Sequence, residues 1–197
     1  MISLDTVTAF ELLHESGLRV ARSRYVDSAE DAISFAERRN AADPRFSPIV
    51  LRVAWAASVD WEGLRRLESE AAIRKEYGVV AKAGSRVLAQ SLPSGTDVTI
   101  VGQRVRGLCE ITMKPPNVHH AVREGTRHMF VHIVERLHKM FLDHDLASFE
   151  ILVRLHENEY TIVDAAIAAS RMPSLKPRLG RHAHDRKEYD FRPSGEQ

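Results

Sequence analysis

Little in this sequence announces a partner through charge or covalent chemistry. Cysteine occurs once, at Cys109, so no internal disulfide and no cysteine-based zinc site can form. No run of about eighteen apolar residues exists, which excludes a membrane-spanning helix. Charge of one sign is not in excess. The 28 Lys and Arg against 27 Asp and Glu leave a net +1, too little to attract nucleic acid or an anionic membrane at long range. Met1 to Thr6 has neither the basic start nor the apolar core of a signal peptide, so the reading is of a cytoplasmic chain. Glycine is scarce in the middle of the chain: between Arg52 and Val87 only Gly63, Gly78 and Gly84 occur, scattered. What is present is enough apolar material, 44% of 197 residues, to bury a core of ordinary size.

Periodicity divides the chain into intermixed helices and strands. Val7, Phe10 and Leu13 recur at helical spacing behind Asp5 or Thr6 as a cap, and Gly17 closes the helix. Leu18 to Val26 alternates as a strand, and Ser28 with Glu30-Asp31 opens a second helix with Ala32, Ile33, Phe35 and Ala36 on its apolar face. Asn40 to Pro48 reads as a loop and Pro48 to Trp55 as a buried strand. The segment from Trp61 to Tyr77 predicts an amphipathic helix with salt-bridged Arg and Glu on its surface, and Val79-Val80 a short strand. Strands follow at Val87 to Leu92, Asp97 to Val105 and Leu108 to Met113, broken by Pro115-Pro116. His119 to Leu142 carries a stripe of Phe130, Ile133, Val134, Leu137 and Phe141, the strongest helix signal in the chain. Ser148 to Leu155 and Tyr160 to Ala166 read as an antiparallel pair. The class is therefore α+β (mixed α/β). After Ser170 the chain turns basic and proline-containing, which predicts a wrapping arm or a partly disordered tail.

The order of these elements resembles a known family. Ala9-Phe-Glu-Leu-Leu13, Gly17-Leu-Arg-Val20 and Val26-Asp-Ser28-Ala-Glu30-Asp-Ala32 are similar to the opening of ATP-grasp proteins, in the branch of the succinyl-CoA synthetase β subunit and the ADP-forming acyl-CoA synthetases. Val87-Leu-Ala-Gln90 and Ser94-Gly95-Thr-Asp97-Val-Thr-Ile-Val-Gly102 resemble that branch's hinge strand and following hairpin. Phe141 to Ile151 and Tyr160 to Ala168 resemble its long-helix end and metal-bearing strand pair. The resemblance implies a two-lobed domain, with lobes at 1–85 and 86–170 and a tail at 171–197. It implies ATP and Mg²⁺ as cofactors, with Arg52, Gln90 and Asp97 bordering nucleotide and Glu150 and Asp164 holding the metal. It further implies a subunit of a carboxylate–CoA (acid–thiol) ligase system, since the chain spans only the ATP-grasp half of that β subunit and needs a partner.

The sequence also departs from that pattern. Arg52 stands where the family has Lys, Ser91 where it has the hinge Glu, and Leu152 and Val153 where it has Asn and Pro. Leucine offers Mg²⁺ no oxygen, and the glycine-rich phosphate loop has no counterpart. These departures favour a second reading, a catalytically inactive pseudo-enzyme that keeps the fold as an interaction or regulatory subunit. Arg52 then pairs with a carboxylate, Glu150 and Asp164 are remnants, and Trp55 and Trp61 fill the cleft or form a contact in a homo-oligomer. A third reading is a metal site at His128 and His132, which stand at i and i+4, against the simpler one of a polar helix face. His119-His120 and His182-Ala-His184 are weaker signals of the same kind. Cys109 reads as a buried structural thiol.

Overall fold

The computed structural model describes residues 1–42, 49–53, 65–83, 86–114, 124–156, 159–173 and 188–189. The elements run β1 (Ile2–Ser3), α1 (Thr6–Glu15), β2 (Ser23–Val26), α2 (Ala29–Ala42), β3 (Ile49–Val53), α3 (Glu70–Val80), β4 (Val87–Ser91), β5 (Thr96–Val105), β6 (Leu108–Lys114), α4 (Glu124–Asp143), β7 (Leu146–His156), β8 (Glu159–Ala169) and β9 (Glu188–Tyr189).

Local chemistry sets the helix starts. Asp5 caps α1 by accepting from the Val7 and Thr8 backbone N–H groups at 3.0 Å. Ser28 Oγ accepts from Asp31 N–H ahead of α2, and Ser69 Oγ accepts from Ala72 N–H ahead of α3. Each such cap is worth about 1 kcal/mol. On the outer face of α3, Arg74 pairs with Glu70 at 2.9 Å, the salt-bridged surface that the charge pattern predicts.

The strands form two antiparallel sheets, a large one in the order β1-β8-β7-β5-β6 and a small one in the order β3-β4-β2-β9. Helices α1 and α4 pack on one face of the large sheet. Phe10, Leu12 and Leu13 of α1 and Ile133, Leu137 and Phe141 of α4 meet Ile100, Phe149 and Ile151 there. Phe141 and Phe149 stack edge to face with centroids 6.0 Å apart. Gly102 is required by this packing, because a Cβ there would stand 2.2 Å from the Phe149 ring. Helices α2 and α3 cover the outer face of the small sheet, with Phe35, Ile49, Leu51, Ile73 and Ala89 at the centre.

Several elements differ from the sequence reading. Only Ser23–Val26 of the segment 18–26 is a strand, with Val20 making an isolated parallel bridge to Ile162. Val79 and Val80 finish α3 rather than forming a strand, with Val80 packed beneath the helix and Val79 exposed. The helix begins at Glu70, because Leu67 first bridges Ile49 and Ser69 caps only the residues after it. Trp55, Trp61, the Pro115-Pro116 break, His119-His120 and His182-Ala-His184 lie outside the described residues. From the tail, β9 adds a strand to β2. No helix of the described residues is long and apolar enough to cross a membrane.

β5 and β6 join through Arg106 and Gly107, both at positive φ (50° and 83°), between the paired Val105 and Leu108. That is a two-residue type I′ turn, which favours Asn-Gly over Arg-Gly because the short polar side chain of Asn can hydrogen-bond locally and tolerates left-handed φ better than the long Arg side chain. Arg106→Asn is expected to stabilise the protein by about 1 kcal/mol, a rise in Tm of roughly 2–4 °C for a chain of this size, read by thermal denaturation.

Candidate functional site

The two sheets meet face to face, and Arg52, Gln90, Asp97, Glu150 and Asp164 lie at or beside this contact. Its apolar part joins Ala21, Val50 and Leu92 to Leu152 and Val163, with Ala166 at the rim. The chain between α1 and β2 seals one side: Ala21 N–H donates to Ile162 O and Ile162 N–H to Arg19 O, both at 2.8 Å.

Strand pleating decides which side chains enter. On β3, Val50 and Arg52 share one face, and on β4 their partners Gln90 and Leu88 share it too. On β8 the register against β7 slips between Leu152↔Asp164 and Val153↔Ile162, leaving Val163 as an extra residue. Such a bulge breaks the strict alternation of side chains. Val163 and Asp164, adjacent in sequence, therefore both reach the small sheet.

At this point Arg52 Nη1 lies 2.5 Å from Asp164 Oδ1, and the two side chains are 10% and 2% exposed. The N–H is not aligned along the contact, so this is an ion pair more than a directed hydrogen bond. The same Oδ1 accepts from the Ala165 backbone N–H at 2.8 Å. Gln90, fully buried, donates through Nε2 to the Val163 carbonyl at 2.5 Å, across from one sheet to the other. Its Oε1 has no hydrogen-bond partner among the described residues. Leu152, directly opposite Asp164 in the register, is buried in the apolar cluster.

Asp97 is held differently. Arg154, its cross-strand partner on β7, grips both carboxylate oxygens at 2.5 and 2.6 Å and donates to the Pro93 carbonyl at 3.0 Å. This bidentate pair fastens the turn before β5, and it spends the Asp97 carboxylate on structure. Glu150 lies one pleat from Leu152, half-exposed, with Lys114 Nζ 3.9 Å away, a weak contact. It borders a 240 Å³ cavity with Ser3, Val101, Gln103, Ser148 and Ala166. That volume is below the roughly 300–1,000 Å³ of ligand pockets. Arg52, Gln90 and Asp164 do not line it. Thus the fold brings Arg52, Gln90 and Asp164 together, with Asp97 and Glu150 engaged beside them.

These residues do not fit a Mg²⁺ ion. The ion requires oxygen donors in near-octahedral array, but Asp164 faces a guanidinium, Leu152 has no donor, and Glu150 faces an ammonium. His128 and His132 are exposed on α4, and among the described residues no group of three His, Cys, Asp or Glu side chains could hold a metal. Cys109 is half-buried, and burial raises its thiol pKa against a smaller lowering by Arg104, which makes it a poor nucleophile at neutral pH.

The sequence matches no protein-family model and no curated protein. Solved structures match it in shape. The dinucleotide-forming acetyl-coenzyme A synthetase 1 of Ca. Korarchaeum cryptofilum, in complex with coenzyme A and Mg-AMPPCP, superposes with a TM-score of 0.60 at 17% identity over 85% of this chain and 92% of that one. Carboxyaminoimidazole ribonucleotide synthase from Aspergillus clavatus, complexed with ATP, gives 0.55 at 13% identity over 82% of this chain and 44% of that one. Phosphoribosylamine–glycine ligase from Thermotoga maritima gives 0.58 at 14% identity over 83% and 47%. The chain has an ATP-grasp fold. The Arg52–Asp164 pair stands between the small sheet, covered by α2 and α3, and the large sheet, covered by α1 and α4.

Removing one member of a buried pair leaves a charge without compensation, at a cost of about 3–5 kcal/mol, whereas an apolar pair of similar volume is often neutral. Arg52→Ala and Asp164→Ala are each expected to lower stability by that amount in urea denaturation. The double variant Arg52→Met/Asp164→Leu is expected to unfold close to the wild-type midpoint.

Proposed function

We propose that this chain is an ATP-grasp-type subunit of a carboxylate–CoA ligase system in which Arg52 occupies the place of the metal, so that it serves as an interaction or regulatory subunit rather than as a phosphoryl-transfer centre. The observation that carries this reading is the buried Arg52–Asp164 pair beside Leu152. Phosphoryl transfer relies on cations that bridge phosphates and neutralise developing charge. Here the carboxylate that the family resemblance assigns to Mg²⁺ is neutralised from within the protein, by a group that cannot lose its charge near neutral pH. The apolar seam of Val50, Leu92, Leu152 and Val163 supports the same reading, since it fills the space between the lobes with side chains. The acid–thiol part rests on the resemblance at residues 7–170 and on the likeness to an acetyl-coenzyme A synthetase that covers 92% of that chain.

A second reading keeps weak Mg-nucleotide binding, completed by a partner chain. One observation favours it: the Gln90 amide oxygen is buried at the interface with no donor among the described residues. An orphaned buried acceptor costs about 1–3 kcal/mol and is relieved when a ligand donor arrives.

Calorimetric titration of metal-free protein with ATP, with and without Mg²⁺, separates the two. The expected outcome is no Mg²⁺-dependent heat up to millimolar ATP from a folded sample. Micromolar binding that requires Mg²⁺ and is lost in Asp164→Asn would overturn the proposal in favour of the second reading.

A further inference from the structure

The outer edge of β6 presents unpaired backbone, since the large sheet ends there among the described residues. Natural sheets blunt such edges with charges, prolines, bulges or covering elements, because an open edge templates strand addition. β6 is seven residues long, pairs with β5 without a register break, and has no proline within it. Leu108 and Met113 on it are 70% and 51% exposed.

The hairpin fixes which backbone groups face out. A two-residue turn makes its flanking residues, Val105 and Leu108, a hydrogen-bonded pair, and bonding then alternates along the strand. Glu110, Thr112 and Lys114 thus turn N–H and C=O toward β5, while Cys109, Ile111 and Met113 turn theirs outward. Side chains alternate as well. Ile111 and Cys109 pack against the core beneath α4, so Glu110, Thr112 and Lys114 share the opposite face.

We propose that β6 pairs antiparallel with β6 of a second copy of this chain, about a two-fold axis at Thr112, joining two five-stranded sheets into one. The self-complementary charge pattern selects this occupant and this register. With the axis at Thr112, the outward backbone groups of Ile111 meet those of Met113 in the other copy. Glu110 of each copy then stands opposite Lys114 of the other, in the closer, non-hydrogen-bonded pairing where cross-strand charges interact best. Both are exposed side chains on one face. Moving the axis to Ile111 keeps the backbone bonds but sets Lys114 opposite Leu108 and Glu110 opposite Thr112, which forfeits both ion pairs. An isologous contact of this kind closes on itself and leaves no further free β6 edge. Lys114, which taken alone is a charge that discourages edge pairing, gains a partner in addition to Glu150. The inference is independent of nucleotide binding.

Sedimentation equilibrium of the full chain from low to high micromolar concentration tests it. The wild type is expected to dimerise, and Glu110→Lys and Lys114→Glu are each expected to weaken the dimer at least about tenfold through like charges set opposite one another. The two variants mixed in equal amounts restore complementarity at both contacts, so a mixed dimer is expected to form where neither variant pairs with itself. Met113→Pro removes an outward N–H and is expected to dissociate the dimer with an unchanged far-ultraviolet circular dichroism spectrum. A wild type that stays monomeric at every concentration sinks the proposal. So does a dimer indifferent to all three substitutions, or a mixture of the two charge variants that fails to associate.

Discussion

The contact between the two sheets governs this structure, and the bulge at Val163 governs the contact. Without the extra residue, Asp164 and Val163 would point to opposite faces of β8, and only one could reach the small sheet. With it, an apolar side chain and a carboxylate arrive together. The apolar one joins the seam of Val50, Leu92 and Leu152, and the charged one needs a cation. A carboxylate buried this deeply is tolerated only when its charge is met, and Arg52 meets it from the facing sheet. The amide of Gln90 does similar work for the backbone by taking up the Val163 carbonyl, one of the groups that a bulge removes from the ladder.

Between the two sheets, Arg52 meets Asp164 and Gln90 donates to the Val163 carbonyl, while the Gln90 amide oxygen has no hydrogen-bond partner among the described residues. The Arg52–Asp164 pair and the Gln90–Val163 hydrogen bond tie the small sheet to the large one.

Much of the fold was legible because helix and strand periods are local. The α4 stripe, the alternation along β5 and the Ser28 cap each follow from neighbours in sequence. The failures share a cause as well. Val79-Val80 is β-branched and looks like a strand, yet the burial of Val80 against the small sheet carries the helix through it. Asp97 looks like a cleft residue until Arg154, 57 positions away, takes both of its oxygens. Arg52 read equally as a phosphate contact or a structural ion pair, and its neighbours in sequence do not name Asp164. A bulge has no signature in a run such as Tyr160 to Ala169, so the residue that aims the whole site was invisible.

The large sheet joins the start of the chain to its later strands. β1, at residues 2–3, forms its far edge against β8, at residues 159–169, and α1 supplies part of the core that α4 completes. Strands β2, β3 and β4 of the small sheet are threaded between them, at residues 23–91, and β9 returns to that sheet at residues 188–189. During synthesis, α1 therefore leaves the ribosome long before the surface it covers exists. Phe10, Leu12 and Leu13 must wait, solvent-exposed or provisionally sheltered, until the last hairpin of the large sheet emerges. Contacts of such long range make for slow folding, and they make the interval before β8 appears the period in which a nascent chain of this protein is most in need of a chaperone.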